Sequence, residues 1–277
     1  MKKFAALALA LIMILSCTAC GGKKEKDRLA QIKEKGYIEI ATEPYFAPYE
    51  FIDPNKSGDE QYVGFDIEVM KVIADEIGVD LKIVPLDFTA VLSGVTEGKY
   101  DLAISAIAYS PSREEAMNLS KGYYFSKNEG YGLVCRTEDA DKFNSVESLK
   151  DAVVTTQSGS VQEGIYNEYV GKDGCKELKL FANMTDCYLA VAENKADVCI
   201  CSRSSAKLYA EANGGLTVTE FKFETSPEMS SNRIGAPKEG TESLMEVVNK
   251  VIDKLIETDQ INQWHDEYEE YAKSLGL

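Results

Sequence analysis

Arg113 is the residue in this chain best suited to hold an anion. Its guanidinium is permanently charged, and its parallel N–H donors match a carboxylate two at a time. It follows Ser110-Pro111-Ser112, a setting that also suits an ordinary surface residue at a helix start. A second group, Ser158-Gly159-Ser160 ahead of Val161-Gln162, reads as a turn entering a helix. Free N–H groups there, with the Ser160 hydroxyl, suit a carboxylate and serve equally well as a plain helix cap. Metal chemistry is poorly supplied: His265 is the only histidine, and no Cys-x-x-Cys pair occurs. No metal or cofactor site is expected.

The elements that position these groups alternate between two periodicities. Short apolar runs at 37–41, 81–85, 102–106, 132–135, 153–156, 178–181 and 198–201 read as strands. Helical patterns fall at 65–77, 89–97, 146–150, 161–170 and 185–194. A final helical segment, 241–275, carries the stripe Leu244, Val247, Val248, Val251, Ile252 and Leu255. The rhythm restarts after Tyr123-Tyr124-Phe125, so two similar α/β units follow one another.

The run Gly64-Phe65-Asp66-Ile67-Glu68-Val69-Met70, continuing to Ile77, is the most specific motif. Acids in its first turn suit the positive end of a helix, and its apolar residues share one face. With the stretch from Asp101 through Ser105 to Arg113, it resembles the bacterial extracellular solute-binding proteins of family 3, the receptors of amino-acid ABC importers. The resemblance spans roughly residue 28 to the C-terminus. It implies a two-lobe, type II periplasmic-binding-protein fold: 31–127 with 223–277 as one lobe, 128–222 as the other. Two crossing hinge strands, near 125–131 and 219–226, would join them.

The same resemblance implies which residues touch the ligand. Arg113 stands at the carboxylate-binding position. Ser105 is the strand-end contact, followed by Ala106 and Ala108, where relatives often carry hydroxyl residues; backbone groups at 106 and 108 would contribute instead. Ser160 and Val161 match the second lobe's turn. Glu43 stands where relatives use an acid, Phe46 where an aromatic stacks on the ligand, with Tyr49 and Phe88 as further walls. Tyr49 and Phe51 have core or turn packing as an equal alternative. Ser202 departs from the pattern, because amino-acid binders typically place an aspartate there for the α-ammonium. A buried ammonium without an acid is costly. Either Glu43 supplies that carboxylate, or the ligand is not an ordinary α-amino acid. Asp197 lies too early in its strand to reach, and Arg203 is expected at the surface or facing an acidic ligand group.

The N-terminus carries an address. Lys2 and Lys3 precede an apolar run of twelve, too short to span a bilayer, that ends in Cys17-Thr18-Ala19-Cys20-Gly21. This resembles a lipoprotein signal peptide over 1–20, with Cys20 lipidated and Cys17 the alternative, followed by a tether over 21–30. An extracytoplasmic protein held to the cell membrane only by that anchor is expected. Its partners are a small-molecule ligand and the transmembrane subunits of an ABC permease, and it would act as a monomer. Losing Lys2 and Lys3 takes the formal charge from −16 to about −18, which repels nucleic acid. The remaining Cys135, Cys175, Cys187, Cys199 and Cys201 are odd in number; free, buried thiols are expected, with a Cys175–Cys187 pair left open. A sensor lobe, or a dehydratase on the same scaffold, are the alternatives to importer binding. Elimination needs a placed acid or base, and Glu43 alone qualifies.

Overall fold

A computed structural model of the protein describes residues 27–126, 130–171 and 174–277. The leader, both candidate lipidation cysteines and residues 21–26 of the expected tether lie outside the described residues. Helix α1 (Arg28–Lys35) begins inside the segment expected as tether, its first turn capped by the Asp27 carboxylate at Ala30 N.

Two βαβαβ units carry the architecture. In the first, β1 (Tyr37–Thr42), α2 (Phe65–Ile77), β2 (Asp80–Pro85), α3 (Phe88–Thr96) and β3 (Leu102–Ala103) lead to the short α4 (Pro111–Ala116) and β4 (Asn118–Leu119). The second starts with β5 (Tyr131–Arg136). It continues through β6 (Val153–Gln157), α5 (Val161–Ile165), β7 (Glu177–Phe181), α6 (Met184–Ala192), β8 (Val198–Ser202), α7 (Arg203–Asn213) and β9 (Leu216–Lys222). The chain then returns as β10 (Gly235–Ala236), α8 (Glu242–Glu257) and α9 (Gln260–Leu275).

The sheets share one pattern. The first runs β2-β1-β3-β10-β4 and the second β7-β6-β8-β5-β9. In each, three parallel strands meet an antiparallel strand, β10 in the first sheet and β5 in the second. Tyr124–Phe125 pairs antiparallel with Ser231–Asn232, so the two crossings lie side by side. The second crossing follows Lys222, because β9 stays in the second sheet to that residue; half of the expected 219–226 is sheet rather than hinge.

Core packing follows the apolar periodicities. Ile67, Met70, Ile73 and Ile77 of α2 meet Ile38 and Ile40 of β1 and the Leu244, Val248 and Val251 face of α8. Gly64, at the start of α2, is dictated by space: its φ is +129°, and a Cβ would lie 2.1 Å from Tyr49 O. The helical segment expected over 241–275 is two helices. Asp259, at φ +55°, breaks it between α8 and α9 while the apolar stripe continues across the break. Only Leu102–Ala103 of the expected strand 102–106 pairs fully, because Ala106 turns into the left-handed region at φ +45°. The segment 146–150 forms one 3₁₀ turn, and 161–170 changes from α to a π turn at Tyr166. The five cysteines among the described residues are free, so Cys175 and Cys187 are not bonded; Cys187, Cys199 and Cys201 pack together between α6 and β8.

Candidate functional site

Parallel strands in both sheets end facing the space between the lobes, as strand carboxyl ends do in open α/β sheets. A small cavity of about 50 Å³ lies there. Glu43, Phe46, Tyr49, Phe88, Ser105, Ala106, Ala108 and Arg113 line it from the first lobe, and Ser160, Val161 and Ser202 from the second. All eleven residues singled out from the sequence therefore surround one cavity. Glu50, Gln157, Gln162 and Asn232 join them without having been anticipated. Glu50 had one readable signal, an acid between two aromatics at Tyr49 and Phe51. Asn232 had none, because Ser230-Ser231-Asn232 reads as loop.

Arg113 sits in the first turn of α4, which Ser110 caps at Arg113 N (3.3 Å), while its side chain is buried in the cleft. Nη1 donates to Ala108 O (2.7 Å), and Nη2 crosses the cleft to Gly159 O (3.0 Å). The guanidinium lies over the Phe88 ring at 5.4 Å. Burial lowers its pKa to about 10, which still leaves it charged at neutral pH. A guanidinium has five donors, so most of the fork stays uncommitted among the described residues. Gly159 permits the crossing: its φ is +72°, and a Cβ would lie 2.9 Å from Thr89 Cγ2 of the opposite lobe.

Several groups expected to face a ligand are committed to the protein. Ser105 Oγ accepts from Glu43 N (3.0 Å) and donates to Glu50 Oε1 (3.0 Å). Ala106 N donates to Asp66 Oδ2 (3.0 Å), and Ala106 O accepts from Asn232 Nδ2 (2.7 Å). Ser160 Oγ donates to Gln157 O (2.6 Å) and accepts from Glu163 N (3.2 Å), the plain capping role. Ser202 Oγ lies 3.1 Å from Ser204 Oγ. Tyr49 stacks on Phe46 at 5.3 Å and packs on Phe65, so it is cavity wall and core at once. Phe51 is core alone, against Tyr268 and Tyr271.

The acids behave differently. Glu43 is 2 % exposed; its Oε2 accepts from Gln157 Nε2 of the other lobe at 3.3 Å, and its Oε1 has no partner among the described residues. Burial first, then the nearby Asp87 and Asp186, push its pKa up to about 8. Glu50 is wholly buried, and its carboxyl is held well above the usual carboxylate range by burial and then by the adjacent Asp66 carboxylate. Arg203 proves buried rather than exposed: Nη1 donates to Thr219 O and to Phe221 O (3.0 Å), so it braces β9 and faces no ligand. Asp197 accepts from Val153 N (2.7 Å), away from the cavity. His265 stacks on Tyr124 at 4.8 Å, also outside it.

Two α/β lobes of matching topology, joined by paired crossings around a polar interlobe cleft, define a type II periplasmic binding protein. The chain belongs to the bacterial extracellular solute-binding proteins, family 3, whose model matches residues 38–270. A crystal structure of an amino acid ABC transporter substrate-binding protein from Streptococcus pneumoniae, bound to L-arginine, is 30 % identical with a TM-score of 0.79, covering 88 % of this chain and 98 % of that one. A probable histidine-binding protein of Campylobacter jejuni is 25 % identical over 92 % of this chain and 93 % of its own. A cyclohexadienyl dehydratase of Pseudomonas aeruginosa is 21 % identical over 75 % and 74 %.

Proposed function

We propose that this protein is the extracytoplasmic receptor of an amino-acid ABC importer, which captures a polar α-amino acid or close derivative between its lobes and presents it to the permease. The observation that carries this reading is Arg113. Its buried, charged fork stands at the lobe junction with donors to spare and already touches both lobes. A ligand carboxylate there gains paired, charge-assisted hydrogen bonds. Glu43, lining the same cavity, offers an unpartnered carboxyl oxygen for an ammonium or a basic side chain; Glu50 Oε2 is also unpartnered among the described residues, but Glu50 lies against Asp66. The arginine-bound and histidine-binding relatives support an amino acid as the ligand class. The test is calorimetric titration with the twenty amino acids and cystine; no heat from any of them would sink the proposal.

Anchoring by a lipid on Cys20 completes the reading, since a receptor loses its permease if it diffuses away. Cys20→Ser should appear in the culture medium rather than the membrane fraction. Retention of that variant, with release of Cys17→Ser, would move the lipid to Cys17. The dehydratase relative raises an enzymatic reading, but the cavity contains no histidine and one exchangeable carboxyl, which favours binding over elimination.

A further inference from the structure

The cleft holds two buried carboxyls whose surroundings differ in kind. Glu50 faces Asp66, whose Oδ1 accepts from Tyr123 OH (2.7 Å) and whose Oδ2 accepts from Ala106 N. A carboxyl packed against a carboxylate keeps its proton, because two negative charges side by side in a buried site would repel. Glu50 thus holds its proton against a fixed partner within the protein.

Glu43 has no such partner. Gln157 donates its amide N–H to Oε2, which marks Oε2 as the carbonyl-like oxygen and leaves Oε1 to carry a proton. No lysine or arginine lies within ion-pair distance among the described residues. The charged and titratable groups around it are Asp87 ahead of α3, Asp186 and Cys187 of α6, and Glu50. None of these favours a negative charge on Glu43. Arg113, on the same cavity, is turned to the carbonyls of Ala108 and Gly159. At the end of β8, Ser202 offers a hydroxyl where an acid would have shared the work.

We propose that Glu43 is a carboxylic acid at neutral pH and that the cationic group of the captured amino acid displaces its proton, so that each capture event releases one proton to the medium. The inference rests on reading the cleft as an amino-acid site. In the step, the Oε1–H bond breaks, the proton passes to solvent buffer, and the carboxylate accepts from the ligand's ammonium or guanidinium. The buried site exchanges one positive charge for another and its net charge is unchanged, which avoids the cost of an isolated buried anion. Below the midpoint, affinity should fall about tenfold for each pH unit of acidification.

Two measurements separate this inference from the reading beneath it. In protein labelled with ¹³C at glutamate carboxyls, with no ligand added, the resonance absent from Glu43→Gln should titrate near 8. A midpoint in the ordinary carboxylate range overturns the proposal whatever the ligand proves to be. Titration with L-arginine at pH 7 in PIPES and in Tris should give enthalpies that differ by the buffers' ionisation enthalpies, with a slope close to one proton released. Binding with zero slope, or an unchanged slope in Glu43→Gln, overturns it as well. Failure of all twenty amino acids and cystine to bind would instead overturn the amino-acid reading, with the carboxyl midpoint still deciding where the proton resides.

Discussion

At the scale of residues, Arg113 and Glu43 form the two poles of the cavity, and each makes a distinct prediction. Arg113→Ala should leave the fold intact but weaken ligand binding by more than a hundredfold, because breaking a buried charge-assisted pair costs about 3–5 kcal/mol. Near-native affinity by calorimetry would remove Arg113 from the site. Glu43 predicts a pH dependence of stability. Its pKa in the folded protein, about 8, lies above the ordinary value of 4.5. Between those two values the unfolded chain has lost a proton that the folded chain retains. Stability is therefore full below 4.5 and is lost as pH rises through about 8, at up to about 1.4 kcal/mol per pH unit. Glu43→Gln cannot ionise, so it should gain on the wild type from pH 5 to pH 8 in urea unfolding without ligand. A constant difference across that range would show that Glu43 is ionised throughout.

At the scale of elements, strand ends decide what the cavity contains, and Ser202 tests this. It terminates β8, where the backbone delivers whatever side chain stands there to the cleft. Ser202→Asp should strengthen the binding of an α-amino acid, since a second carboxylate would face the ammonium in a partly desolvated space. A ligand without an amine should bind more weakly to the same variant through like-charge repulsion, so the sign measured by calorimetry separates the two ligand classes. Strand ends were also what the sequence made legible, because apolar runs stop where the chain meets the cleft. The α8–α9 break was hidden, since the apolar spacing runs on through Thr258 and Asp259 and only a backbone angle records the turn. Arg203 misled for a related reason: nothing in its neighbours announces that the carbonyls of β9 would draw a guanidinium inward. The family resemblance located the cavity, whereas the hydrogen bonds that occupy Ser105 depend on Glu43 and Glu50, far away in the chain; those of Ser160 are local, to Gln157 and Glu163.

At the scale of the whole molecule, polar contacts join the lobes beside the apolar packing of Phe46 on the second lobe's core. Arg113 reaches Gly159, Gln157 reaches Glu43, and Thr185 Oγ1 reaches Tyr45 O at 3.2 Å. Paired crossings beside such contacts suit rigid-body closure about a hinge, driven by contacts that the ligand completes. Saturation with ligand should reduce the radius of gyration in small-angle scattering. An unchanged radius at full occupancy would argue against capture by closure.

The placement of β10 inside the first sheet also fixes an order of assembly. β4 joins that sheet only through β10, and β10 arrives more than a hundred residues later, after the whole of the second lobe. In a chain delivered across a membrane N-terminus first, the second lobe can complete its sheet from one contiguous stretch as soon as β9 emerges. The first lobe must wait, with Ile67, Met70 and Ile73 uncovered until α8 arrives to pack on them. The half of the receptor that begins first finishes last, so an export chaperone would find its longest-lived apolar surface on the N-terminal lobe.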